Sequence, residues 1–201
     1  MSAAFLRLED VACMRGGRML VTGVTLSLAA GESAVLRGPN GVGKSSLIRA
    51  VAGLLPVFAG RVSHQGAMAL CDEALALEMR APLGRALGFW ARVDGAKAGA
   101  VDAALEALDL TKLADVPVRM LSTGQRKRAV LARVVASGAP IWLLDEPGNG
   151  LDSASVALLG TVMKRHLADG GLILAASHQA LPAAEAMDFD VMAWRPLEME
   201  A

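Results

Sequence analysis

Ala34-Val35-Leu36-Arg37-Gly38-Pro39-Asn40-Gly41-Val42-Gly43-Lys44-Ser45-Ser46 is the stretch from which the fold is read. A short apolar run, Ala34–Arg37, leads into a glycine-rich loop. The helical pattern Ser45–Leu54 follows it. Gly38 to Ser45 fits the phosphate-loop pattern of Gly, four residues, Gly-Lys and a hydroxyl residue, in the strand–loop–helix setting that pattern requires. The physics is direct. Glycines let successive backbone N–H groups turn inward into an anion nest. The helix N-terminus adds partial positive charge. Gly38, Pro39, Asn40, Gly41, Val42 and Gly43 would form the cradle and Ser46 its exit. Lys44 would reach the β- and γ-phosphates of ATP, and the Ser45 hydroxyl would ligate Mg²⁺.

A second segment complements the first. Ile141-Trp142-Leu143-Leu144 reads as a buried strand, with Asp145 and Glu146 at its C-terminal end. In parallel α/β sheets that end is where ligands bind. Asp145 suits the Mg²⁺ shell, directly or through water, and Glu146 suits polarising an attacking water. Apolar strands ending in carboxylates are common, so the pair gains its meaning from the phosphate loop upstream. A third segment is Leu121-Ser122-Thr123-Gly124-Gln125. Ser122 suits the N-cap of a helix over Gln125–Ala136. A helix N-terminus with a hydroxyl and a glycine is also a phosphate site. The segment itself does not fix whose phosphate it meets.

Working outward, strand-like runs alternate with helical patterns. Strands are expected at Phe5–Val11, Thr25–Leu28, Ala34–Arg37, Ala67–Leu70, Ile141–Leu144, Leu172–Ala176 and Val191–Trp194. Helices are expected at Ser45–Leu54, around Val101–Leu108, and at Gln125–Ala136 and Ala154–Leu167. Alternation of this kind predicts an α/β fold with a mostly parallel sheet flanked by helices. Between Asp72 and Arg119 no strand pattern appears, so a helical subdomain over about 72–136 is expected inside a single domain spanning 1–201.

Composition closes off several classes. Apolar residues make up 54% of the chain, against the composition of disorder. The longest stretch without a charged residue, Gly170 to Ala184, carries Ser177, His178, Gln179 and Pro182 and is too short and polar to span a bilayer. Any membrane role must come through a partner. The 20 basic and 20 acidic residues leave no basic excess, which argues against nucleic acid. Cys13 and Cys71 are far apart and read as two reduced thiols.

Gly38–Ser45, Leu121–Gln125, Leu144-Asp145-Glu146-Pro147, Gly150-Leu151-Asp152 and Ser177-His178 follow one another as they do in ABC ATPase domains, which the chain resembles over almost its whole length. The resemblance implies a P-loop NTPase core and a nucleotide-sandwich dimer of two copies. Ser122, Gly124 and Gln125 of one subunit would meet the γ-phosphate held by Lys44 of the other. Asp152 would lie in the loop crossing the dimer interface. His178 would contact the γ-phosphate and sense hydrolysis. Within that family the chain is similar to the CcmA-type ATP-binding subunits of haem exporters in bacterial cytochrome c maturation. The points of similarity are the small size, Ser177-His178-Gln179 and the segment Arg80–Val93. That similarity implies CcmB- and CcmC-like integral membrane permease subunits, and a peripheral place on the cytoplasmic face of the inner membrane. Haem would be handled by those subunits.

The chain departs from the family pattern in three places. Arg15, in Met14-Arg15-Gly16-Gly17, stands about where the family places an aromatic side chain against adenine. A guanidinium also stacks on rings, so Arg15 is the candidate and loose base selectivity is expected. The usual glutamine after the strand Ala67–Leu70, which in the family links Mg²⁺ to the membrane partner, is replaced by Cys71-Asp72-Glu73-Ala74; either Asp72 or Glu73 stands in through a water or the link is weakened. Thr123 replaces a glycine in the Ser122 segment. Other features take ordinary readings: Arg126-Lys127-Arg128 as a solvated helix face, Trp142 as core, and Phe89-Trp90 as core or as a surface for a membrane partner. A soluble ABC ATPase and a nucleotide kinase are the competing classes. The first usually carries coiled-coil inserts or tandem domains, which this chain lacks. The second leaves Leu121–Gln125 and His178 without a task.

Overall fold

The computed structural model describes residues 3–72, 76–178, 181 and 186–196. The chain opens with two long strands, β1 (Phe5–Arg15) and β2 (Arg18–Ala29), paired antiparallel. Leu6 and Leu8 on β1 and Leu26 and Leu28 on β2 are buried, while their alternate neighbours face out. That is the period of a strand with one wet face. β3 (Ser33–Arg37) runs into the glycine loop and α1 (Lys44–Val51). β4 (Ala59–Gln65) adds to the free edge of β1, and β5 (Met68–Cys71) begins the next layer. α2 (Leu83–Val93), α3 (Ala100–Ala107) and α4 (Thr123–Ser137) follow. The chain then alternates through β6 (Ile141–Asp145), α5 (Ser153–Ala168), β7 (Leu172–Ala176) and β8 (Met187–Asp190).

The strands form two sheets. A three-stranded antiparallel sheet has the order β2-β1-β4, and a five-stranded sheet has the order β5-β6-β7-β3-β8 with every pair parallel. The two N-terminal strands are therefore not part of the parallel sheet. β6 and β7 are buried at every residue, as strands covered on both faces must be. Their alternate side chains feed different cores. Ile141, Leu143, Leu172 and Leu174 pack with the antiparallel sheet and α1. Trp142, Leu144, Ile173 and Ala175 pack with α2, α3, α4 and α5. Each fully buried leucine or isoleucine contributes about 1.5–3 kcal/mol.

One expectation is corrected and one strand was not foreseen. Val191–Trp194 is a turn of 3₁₀ helix, and the last strand is Met187–Asp190. The cause is local: the Asp190 carboxylate accepts the Met192 N–H and turns the chain out of the extended form. β4 escapes the sequence pattern because Ala59–Gln65 buries no residue fully and holds its place through backbone pairing to β1. No strand lies among the described residues between Cys71 and Ile141, where the helical expectation fell. No helix among the described residues is long and apolar enough to cross a membrane.

Candidate functional site

Strand order brings the separate segments together. β3 lies beside β7, and β7 beside β6, with Leu36 opposite Ala176 and Ala176 opposite Asp145. The residues just past those strand ends are the glycine loop, Ser177-His178 and Glu146. They gather around a cavity of about 460 Å³. Asn40, Gly41, Gly43, Lys44, Ser45 and Ser46 line it from the loop, Glu146, Asn149 and His178 from the strand ends, and Arg15 and Leu20 from the β1–β2 hairpin.

The loop has the backbone its glycines were needed for. Gly38, Gly41 and Gly43 all have positive φ, at 138°, 80° and 118°. A side chain at Gly43 would also meet Leu20 Cβ at 3.1 Å. Lys44 is only 5% exposed. Its ammonium donates to the Gly38 carbonyl at 2.8 Å and the Pro39 carbonyl at 3.1 Å, so its charge is held at the loop's centre. Val42 is buried, while Pro39 and Asn40 are exposed on the loop's crest.

Ser45 Oγ donates to Asp145 Oδ1 at 2.9 Å. Asp145 is 4% exposed. A hydroxyl beside a buried carboxylate is a pair of hard oxygen donors, the donor set that suits Mg²⁺ either directly or through water.

Glu146 is one of three non-glycine residues with positive φ among the described residues, at 48°. Its N–H donates to the Ala176 carbonyl at 2.8 Å, and its carbonyl accepts the Asn149 N–H at 3.2 Å, which together hold the turn. His178 Nδ1 lies 2.8 Å from Glu146 Oε2, and the His178 N–H donates to the same oxygen at 3.4 Å. A carboxylate only accepts, so His178 carries its proton on Nδ1. The Glu146 side chain is 16% exposed and that of His178 44%.

The remaining predicted residues lie elsewhere. Ser122 is the N-cap of α4, with both halves of a capping box: Gln125 N–H to Ser122 Oγ at 3.2 Å and Ser122 N–H to Gln125 Oε1 at 2.8 Å. Thr123, on the first turn of α4, receives Arg126 at 3.5 Å through its hydroxyl. Asp152 caps α5 through the Ser155 N–H at 2.8 Å, and that hydrogen bond holds its carboxyl below the usual range. A Cβ on Gly124 would come within 3.9 Å of the Gly150 carbonyl, so the two helix starts are neighbours. None of Ser122, Gly124, Gln125 and Asp152 lines the Lys44 cavity.

Of the stand-ins for the missing glutamine, Asp72 pairs with Arg49 of α1 at 3.5 Å, and Glu73 lies outside the described residues, as does Gln179. Arg126-Lys127-Arg128 is not a free solvated face. Arg126 donates to the Leu121 carbonyl, and Arg128 ties α4 to the end of α3 through the Leu108 and Asp109 carbonyls. Phe89 and Trp90 divide the two readings put forward for them. Trp90 lies partly buried under Arg133 and donates to the Ala76 carbonyl, while Phe89 is 53% exposed. Trp142 is core, and both cysteines are free and buried, with burial pushing each thiol up to about 11. Sequence reasoning missed Asn149, Leu20 and Arg37. Arg37 joins Asp188 at 2.8 Å to the Ser177 carbonyl at 3.4 Å, next to His178. The four-residue turn after Glu146 was the available signal for Asn149.

Comparisons with known proteins show the family. The family described as ABC transporter matches residues 21–149. The "Cytochrome c biogenesis ATP-binding export protein CcmA" of Sphingopyxis alaskensis is 57% identical over 176 residues, covering 88% of this chain and 91% of that protein. The protein of the same name from Zymomonas mobilis is 52% identical over 182 residues, covering 90% and 82%. A solved structure described as a putative ABC transporter ATP-binding protein from Pyrococcus furiosus superposes with a TM-score of 0.84. It covers 96% of this chain and 100% of that one at 19% identity, a likeness of fold.

Proposed function

The chain belongs to the ABC transporter family as one of its ATP-binding subunits, and from that premise we propose that it powers an export complex for haem in cytochrome c biogenesis. ATP hydrolysis coupled to transport is the activity of the family, and the relatives' names specify export. The observation that carries the site assignment is the meeting of the Lys44 loop with the Glu146–His178 pair in one cavity.

In this reading the backbone N–H groups of Gly38–Ser45 and the Lys44 ammonium bind the β- and γ-phosphates. Ser45 and Asp145 would hold Mg²⁺, which when bound would neutralise charge on the phosphoryl oxygens. Glu146 orients the attacking water, and His178, bonded to Glu146, contacts the γ-phosphate. Two copies close on ATP. Ser122, Gly124 and Gln125 of one copy complete the site of the other, and Asp152 lies in the loop at the seam. The absence of these four from the Lys44 cavity supports a site assembled from two chains. The partners are CcmB- and CcmC-like membrane subunits, which place the chain at the cytoplasmic face of the inner membrane. The exposed Phe89, beside Arg85 and Arg92 in a groove of about 780 Å³ on α2, is the surface offered to them.

The test is to tag the chain, solubilise membranes in mild detergent and identify what co-purifies. Small multi-span proteins of cytochrome c maturation are expected. A different permease would keep the transport role and discard haem. Recovery of a purely soluble protein would favour an ABC ATPase without a membrane partner.

A further inference from the structure

We infer that Arg37 is a positioning residue for His178, holding the peptide that carries the imidazole to Glu146; this rests on reading Glu146 and His178 as parts of the hydrolytic site. Arg37 ends β3, one residue before the glycine loop begins. Its Nε donates to Asp188 Oδ1 at 2.8 Å and its Nη1 to the Ser177 carbonyl at 3.4 Å. The Ser177 N–H donates to the Leu36 carbonyl at 3.2 Å. Two consecutive residues of β3 therefore grip Ser177 through both of its backbone groups. Asp188 pairs in register with Val35, which puts it on the same face of the sheet as Arg37, two residues further along β3.

The peptide unit between Ser177 and His178 is held at both ends. Its carbonyl accepts from the Arg37 guanidinium, and its N–H donates to Glu146 Oε2 at 3.4 Å. A cation at the acceptor end and a carboxylate at the donor end polarise the unit in the same sense, so each bond strengthens the other. Both are long for N–H···O bonds. The short bond to Asp188 is what fixes the guanidinium in place. The Arg37 and Asp188 side chains are 30% and 64% exposed, so their pairing adds little to stability. Its effect is placement. Removing the guanidinium lets the peptide tilt and lengthens the 2.8 Å contact of His178 Nδ1 with Glu146.

Steady-state ATP hydrolysis, ATP titration calorimetry and thermal unfolding of the full chain test this, with Arg37→Met, Asp188→Asn, His178→Ala and the Arg37→Met, His178→Ala double variant alongside. Arg37→Met should lower kcat by about ten- to a hundredfold, the scale of a misplaced catalytic group. KM and ATP affinity should stay within about twofold, since the phosphate contacts are untouched. The unfolding midpoint should barely move, as for any exposed ion pair. Asp188→Asn should lower kcat in the same direction by a smaller factor. In the His178→Ala background, Arg37→Met should cost less than about twofold more, because the two act through one group. A native kcat in Arg37→Met overturns the inference, as do losses that multiply in the double variant. So does ATP affinity that falls in step with kcat, which would make Arg37 a support of the phosphate loop. If Arg37→Met does not fold, Asp188→Asn decides, and a native kcat there overturns the inference. All of these leave the site reading standing. Native turnover in His178→Ala, or none in the unaltered chain, removes that reading and the inference with it.

Discussion

Glu146 is the residue proposed to polarise the attacking water. Its left-handed backbone, with φ of 48°, costs on the order of 1–3 kcal/mol at a non-glycine position. Hydrogen bonds to the Ala176 carbonyl and from the Asn149 N–H hold it there. What the turn achieves is placement: the carboxylate reaches His178 and lines the cavity that Lys44 enters. The isosteric change Glu146→Gln keeps that shape and removes the negative charge that the proposed role requires. ATP affinity should stay within a few-fold. Turnover should fall by about 10²- to 10⁴-fold, the usual scale for a lost general base. With hydrolysis blocked, size-exclusion chromatography in ATP should show a dimer that persists. Hydrolysis at the native rate in this variant would remove Glu146 from the water-polarising role.

At the scale of elements, α5 meets the sheet through His166, at the end away from the Lys44 cavity. His166 stacks on Trp142 with ring centroids 3.8 Å apart and planes 12° from parallel, and its Nε2 lies 3.3 Å from the Leu172 carbonyl. Gly171 is needed beneath it, since a Cβ there would lie 2.2 Å from the imidazole. Burial lowers the His166 pKa below its ordinary 6.5. The unfolded chain therefore binds more protons than the folded one below that value. The stability this group lends is complete above about pH 6.5 and declines as pH falls towards the folded pKa. Urea unfolding from pH 7.5 to 5 should show that slope, and His166→Gln, which keeps a donor for Leu172, should flatten it. A slope unchanged by the substitution would assign the acid loss to other groups. The same elements show where sequence legibility stops. β6 and β7 were readable because burial on both faces leaves continuous apolar runs. α4 was readable from Ser122, whose side chain satisfies one of its first N–H groups. β4 was not, because an edge strand with half-wet residues lacks an apolar period. The turn at Val191 was not, because one Asp190 hydrogen bond outweighs four residues of strand-like composition. Among site residues, the loop and Asp145-Glu146 are local motifs and could be read. Leu20 and Arg37 matter only through strand order, which local pattern does not contain.

Across the whole molecule, the predicted site residues fall on two faces. Lys44, Ser45, Glu146 and His178 surround one cavity. Ser122 and Asp152 cap α4 and α5 outside it, with Gly124 close to the Gly150 carbonyl. On the proposed reading each face carries half of a site, and a two-fold pairing of faces would yield two equivalent sites. This has a complementation consequence. Ser122→Arg spoils the capping face with a bulky cation and leaves the loop intact. Lys44→Ala spoils the loop and leaves the capping face intact. Each variant alone should be inactive. In a mixed dimer one site has both parts intact and the other has neither. Equal mixing makes about half of the dimers mixed, each with one good site, so hydrolysis should recover to about a quarter of the native level. ATP-dependent dimer formation read on the same mixture separates a missing shared site from two sites that fire only together. Recovered activity places the γ-phosphate between chains. Mixed dimers that neither close on ATP nor hydrolyse it would return Ser122 to a purely capping role.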